Sequence, residues 1–181
     1  IEAIDISNYG SEHITAGLIR IDDSKFNKNG YRTYKIRSTD TPDDYRSMSE
    51  ALERRFSHKD EQPLPGLLLL DGGKGHVGVV KALMHELGIN IPVYGMVKDD
   101  FHKTRALTDG ENEISIAREQ SVFVFIYKIQ EEVHRYSVGR MQNAKRKTLK
   151  HSRLEEIEGI GAKKAQLLLK TLGSMTAVKN A

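Results

Sequence analysis

The chain has 181 residues, enough for one sizeable core and a small satellite domain, so it is not a peptide-scale binder. It contains no cysteine, which excludes a disulfide scaffold and thiolate chemistry and fits a cytosolic protein, and no apolar run approaches membrane-spanning length or reads as a signal peptide. A net charge of +3 is too small to imply nucleic acid by itself, so the distribution of charge matters more than its sum.

In the opening IEAIDISNYG, Ile1, Ile4 and Ile6 predict a strand, Ser7 to Gly10 a turn, and the alternating HITAGLIRI a second strand. Asp5 interrupts the apolar pattern. Because an unpaired buried carboxylate is costly, Asp5 must be hydrogen-bonded, paired or holding a metal. Asp22 to Lys28 reads as a hairpin tip, and Gly30 to Arg37 as a third strand that alternates β-favouring residues with cations.

At Thr41-Pro42-Asp43-Asp44 a helix begins, with proline near its first turn and acids at the positive end of its dipole. It runs from Tyr45 to Phe56, with Tyr45, Met48, Leu52 and Phe56 at buried-face spacing and Asp44 as a candidate cap. A polar loop, His58 to Gln62, leads to LLLLDGGKGH, Leu67 to His76. Four leucines after Pro65-Gly66 read as a buried central strand ending in Asp71. A carboxylate there lies where open sheets place ligands, and Gly72, Gly73 and Gly75 let a backbone or phosphate approach. The simpler alternative is a turn in which Asp71 caps the next helix. The GGKG string does not make a P-loop, since Gly75 follows Lys74 where Ser or Thr is required and the glycine spacing is short.

Val77 to Leu87 reads as a second helix closed by Gly88, and Ile91 to Val97 as a strand parallel to the Asp71 strand through a right-handed crossover. The loop KDDFHKTR, Lys98 to Arg105, therefore opens on the same side as Asp71. Leu107 to Ile116 reads as a hairpin around Asp109-Gly110, and a third helix starts near Ser121. Its residues Val122, Phe125, Ile126, Ile129, Val133 and Tyr136 define a buried face with His134 beside it. Alone, such a histidine reads as structural. Asp5, Asp71 and His134 together form a set that Mg²⁺ or Mn²⁺ accepts, and paired carboxylates can hold metal for an in-line phosphoryl transfer.

From Arg140 to Arg153 the cations Arg140, Lys145, Arg146, Lys147, Lys150 and Arg153 occur with no acid among them, a basic linker or a solvated face. In the stretch Ser152 to Ser174, a Gly-Ile-Gly turn between two helical patterns resembles a helix-hairpin-helix. Gly159 and Gly161 permit a tight turn whose N–H groups can bind phosphate without reading bases, and Lys163 and Lys164 add charge. The tail MTAVKNA reads as the start of a second such unit, and a single one is expected to bind weakly.

The segments IEAIDISNYG, YRTYKI, DDYRSM, LLLLDGGKGH, VYGMVKDDFHKT and EEVHRYSVGRM, in this order, resemble the carboxyl-terminal half of the UvrC family, the incision subunits of bacterial nucleotide excision repair. The resemblance covers essentially the whole chain. It implies an α/β, RNase H-like mixed sheet flanked by helices (residues 1–139), the basic linker (140–151) and a small all-α helix-hairpin-helix segment (152–181). It places the family's Asp-Asp-His triad on Asp5, Asp71 and His134, as catalytic residues and ligands of a divalent Mg or Mn. His134 would act as ligand or proton carrier, and Asp44 would touch the metal or hold its helix. Gly72, Gly73, Lys74, Lys98, His102 and Lys103 would face the DNA backbone, where each lysine or histidine could equally be an ordinary surface group. The implied reaction is phosphodiester hydrolysis on the 5′ side of a lesion in double-stranded DNA, with UvrB as partner and UvrA acting upstream. A DNA-binding module with a degenerate site is the alternative, against which the intact triad argues. His76, where glutamine is expected, and Gln130-Glu131, in place of Arg-Asp, depart from the family pattern.

Overall fold

The computed structural model describes the backbone of residues 1–9, 13–38, 43–57, 62–99, 104–155, 157–172 and 177–178. The chain divides into two compact units, Ile1–Met141 and Gln142–Ala181. No helix among the described residues is long and apolar enough to cross a membrane.

The first unit is built on a mixed sheet of strands β1 (Glu2–Tyr9), β2 (His13–Asp22), β3 (Lys25–Phe26), β4 (Arg32–Lys35), β5 (Leu68–Leu70), β6 (Val93–Lys98), β7 (Thr104–Thr108) and β8 (Glu113–Ser115). Their order is β3-β2-β1-β5-β6-β7-β8, with β4 also pairing β2 on its outer edge. Strands β1, β5 and β6 are mutually parallel, as the crossover predicts, and the flanking pairs are antiparallel. This is the mixed sheet flanked by helices expected above. The first strand outruns its expected end at Ile6, because Ser7 to Tyr9 pair with Thr15 to His13. The hairpin tip contains the two-residue β3 and a 3-10 turn at Lys28–Gly30.

Alternation along β1 divides its side chains between two cores. Ile4 faces the layer of α1 (Asp44–Ser57) and α2 (Lys74–Glu86), where Met48, Leu52, Phe56, Val77 and Val80 are fully buried. Ala3 faces α3 (Gln120–Glu155), whose Ile126, Ile129 and Val133 close the opposite face. Two residues of the predicted helix faces stay outside: Tyr45 is 48% exposed and Val122 is 42% exposed. The basic run starting at Arg140, expected as a linker, is helical, because α3 continues unbroken to Glu155. In the second unit, Gly159 adopts a positive φ of 84° in the turn between α3 and α4 (Ala162–Leu172).

Glu2 is fully buried on the α1 face of β1, a burial its sequence context does not announce. Its carboxylate accepts from Arg55 Nη2 at 2.8 Å and Nε at 3.1 Å, and Arg55 Nη2 also donates to the Pro63 carbonyl at 3.0 Å. The pair ties β1, α1 and the approach to β5 together. Removing Arg55 leaves the buried Glu2 carboxylate with the weaker contact to Arg20 Nη1, 3.5 Å away. Arg55→Met is expected to lower unfolding free energy by about 3 kcal/mol in urea denaturation, with partial recovery in Glu2→Gln/Arg55→Met.

Candidate active site

The parallel register of β1 and β5 pairs Ala3 with Leu69 and Ile4 with Leu70. It continues one step through the bond from Asp71 N–H to the Ile4 carbonyl, so Asp71 leaves the sheet level with Asp5. Alternation puts both acids on the α3 face. Asp71 does not cap α2, whose N-cap is Gly73 with no side-chain cap.

Helix α3 brings His134 to this point because β2 carries no side chain where the helix crosses it. Gly17 is the cross-strand partner of Asp5, and a Cβ there would stand 2.9 Å from Ser137 Cα. Buried Ser137 donates to the Asp5 carbonyl at 3.4 Å. One turn before His134, buried Gln130 meets Thr104 Oγ1 at 2.9 Å, so this departure from the family pattern serves as a pin between α3 and β7. His134 Nδ1 then lies 3.1 Å from Asp5 Oδ2. One ligand atom each from Asp5, Asp71 and His134 lies within 4.8 Å of the others.

Lys98, at a register shift where β6 leaves the sheet, sets its ammonium 2.8 Å from Asp71 Oδ1 and donates to Oδ2 at 2.9 Å. Its charge thus sits on the triad's second acid. Asp71 Oδ1 is buried, with the Lys98 ammonium as its charged neighbour. Gly95 allows the Gly72 carbonyl to approach β6, where a Cβ would overlap that oxygen.

The cluster opens into a cleft of about 240 Å³ that Asp44 and His76 also line. The helix cap is Asp43, which accepts from Arg46 N–H at 3.0 Å, while Asp44 accepts from Asn8 Nδ2 at 3.3 Å. The His76 ring lies over Gly72 and 4.6 Å from the Tyr45 ring. Burial lowers its pKa. Sequence reasoning missed His76 as a cleft residue, since its place beside Tyr45 depends on how α1 and α2 pack.

Of the other expected contacts, Lys74 is exposed with its ammonium on the Glu111 carbonyl at 2.8 Å, while Gly72 and Gly73 form the turn into α2. His102 and Lys103 lie outside the described residues, as does most of the MTAVKNA tail. In the second unit Lys163 is exposed beside Gly161, and Lys164 Nζ donates to the Gly159 carbonyl at 2.9 Å.

Burial raises the Asp5 carboxyl to a pKa of about 6; the hydrogen bond from His134 opposes the rise and the Asp71 charge adds to it. The hydrogen bond to Asp5 is the main cause of an upward shift at His134. Each of these two adjacent groups thus holds its proton more readily than it would alone. The donor set, two carboxylates and an imidazole whose ligand atoms lie within 4.8 Å of one another, fits Mg²⁺ or Mn²⁺.

A family model described as the UvrC RNase H endonuclease domain matches residues 1–138. Two curated relatives, each named UvrABC system protein C, align over all of this chain. That of Acetivibrio thermocellus is 38% identical over 201 residues, and that of Caldicellulosiruptor saccharolyticus 43% identical over 182. The chain spans about a third of each relative's length, 32% and 31% respectively.

The raised Asp5 pKa has a definite sign. Between pH 3.8, its ordinary value, and about 6, the folded protein holds a proton that the unfolded chain releases, so stability falls as pH rises. His134, also raised, extends the fall above pH 6.5. Urea denaturation in EDTA should show this slope, and Asp5→Asn should remove its lower part. The same variant should lower the His134 pKa in an NMR titration, and Gly17→Ala, by displacing α3, should lower it too.

Proposed function

Because the chain belongs to the UvrC RNase H endonuclease domain family, we propose that it is a divalent-metal-dependent DNA endonuclease of nucleotide excision repair, hydrolysing a phosphodiester on the 5′ side of a lesion. The observation that carries this reading is the convergence of Asp5, Asp71 and His134 where the parallel pairing of β1 with β5 ends, inside an open cleft.

Asp5, Asp71 and His134 would hold Mg²⁺ or Mn²⁺, which would supply Lewis-acid charge at the scissile phosphate and make a bound water more acidic. The protein's own groups carry the remaining tasks. Register and burial hold the two carboxylates in a fixed mutual position, so little reorganisation is needed to present them. With Nδ1 against Asp5, His134 has Nε2 left to bind or to take up a proton, and the Asp5 carboxylate beside it favours its protonated form. Lys98 balances the Asp71 charge and offers a cation at the phosphate position once that pairing loosens. Asp44 stands across the cleft as a further acid.

The turn at Gly159 and Gly161, with exposed Lys163, supports sequence-independent backbone contact at the start of α4. Such contacts position a duplex without selecting a lesion. Recognition of damage would then rest with UvrB, after UvrA; both relatives carry the name UvrABC system protein C.

Cleavage of a damaged or nicked duplex in Mn²⁺ or Mg²⁺, with a UvrB-type partner supplied, tests the reading. EDTA should abolish cutting, and Asp71→Ala should reduce it by about 10³-fold or more while circular dichroism and melting temperature show an intact fold. Equal activity in both proteins would remove Asp71 from the site. Tight DNA binding without cutting by either would point to a non-catalytic module.

A further inference from the structure

Residues 25–37 carry Lys25, Lys28, Arg32, Lys35 and Arg37 and no acid. The last two lie at the outer edge of the sheet, on the side where the acids converge. Among the described residues strand β4 pairs only with β2, and it runs antiparallel to β2 and therefore in the direction of β1. Asp5, Gly17 and Thr33 form one row across β1, β2 and β4; Ser7, Thr15 and Lys35 form the next, toward the carboxyl end. Thr33 Oγ1 lies 3.0 Å from the Tyr136 hydroxyl of α3, so alternation puts Lys35 on the same face of the sheet as Asp5.

Both cations are exposed. Among the described residues no carboxylate pairs with the Lys35 ammonium or the Arg37 guanidinium. Among the described residues the acid that reaches this segment is Glu50, which accepts from the backbone N–H groups of Arg37 and Ser38 and pairs with Arg54. Arg32, at the opposite end of β4, is bound to the carbonyls of Asn29 and Tyr31. A lysine on an edge strand also discourages edge-to-edge pairing, a role that needs no ligand. Their place argues for more: Lys35 lies two strands from Asp5 on its face, Arg37 follows it just past the end of β4, and neither has a carboxylate partner among the described residues.

We propose that Lys35 and Arg37 form a contact surface for the phosphate backbone of duplex DNA, holding the strand that is cut to one side of the scissile bond. The inference rests on the nuclease reading and adds to it a direction for the substrate, across β1, β2 and β4. Two strand spacings amount to about 10 Å, or about three nucleotides of one DNA strand, so the phosphates concerned lie about three nucleotides from the cut.

The test is binding of a nicked duplex to the chain in EDTA, where no cutting intervenes, as a function of salt. Lys35→Gln/Arg37→Gln should reduce the slope of log K against log salt by about 2 and weaken binding at low salt at least 10-fold, with the melting temperature unchanged. Neutral methylphosphonates about three nucleotides from the cut should weaken wild type and leave the double variant unaffected. Lys81→Gln, on α2 with its ammonium held by the Asp109 carbonyl, should leave the slope unchanged. An unchanged slope in the double variant overturns the proposal and would favour an acidic protein partner for this edge; so do methylphosphonate effects that persist in it, or no measurable DNA binding by wild type. Absence of metal-dependent cutting by wild type, with the slope reduced as expected in the variant, overturns the nuclease reading alone.

Discussion

Everything at the candidate site follows from the parallel pairing of β1 with β5. Their register sets two carboxylates side by side at the edge of a dry core, an arrangement that like charges oppose and that only compensation makes tenable. Three responses are visible. Asp5 takes its proton more readily, His134 bonds to Asp5, and Lys98 reaches across from β6 to Asp71. Each compensating group comes from a different element, so the helix and the neighbouring strand are held to the acids by electrostatics as well as by apolar packing.

The second requirement is closeness. A histidine on α3 can touch a strand acid only if the helix axis comes nearer to the sheet than ordinary side chains permit. Ala3, Gly17 and Ser137 keep the contact surface thin, while Ile129 and Val133 fill the core just before it. The same economy appears on the other side of Asp71, where Gly95 leaves room for the Gly72 carbonyl. The site is thus assembled by small residues that contribute no chemistry of their own.

Much of this was legible in the sequence. Asp5 and Asp71 stood out because each breaks or ends an apolar run, and strand-helix-strand periodicity put Asp71 at the carboxyl end of a parallel strand. His134 was visible only as a neighbour of a helical stripe; periodicity cannot say which strand a helix crosses, and its meaning came from the resemblance. Less could be read where tertiary contact decides. Nothing local distinguishes Lys98 facing solvent from Lys98 on an acid 27 positions earlier. The capping oxygen belongs to Asp43 and the cleft-lining one to Asp44, a difference of one residue that composition at a helix start does not resolve. Glu2 reads as a terminal polar residue until Arg55 is seen beneath it. The basic run after Arg140 has helix-forming lysines and arginines without an apolar stripe, so its helicity was hidden by its polarity.

The void at Gly17 also bears on how such a protein can vary over generations. Cations around the cleft can be exchanged, moved or lost with graded effect, because solvent screens them and neighbours can substitute. A single methyl on β2 has no such latitude: it meets the backbone of Ser137, which cannot rotate away, so the helix and the histidine on it must move as a body. Heritable drift is therefore steered to the rim, while the strictest constraint falls on a residue with no functional group at all.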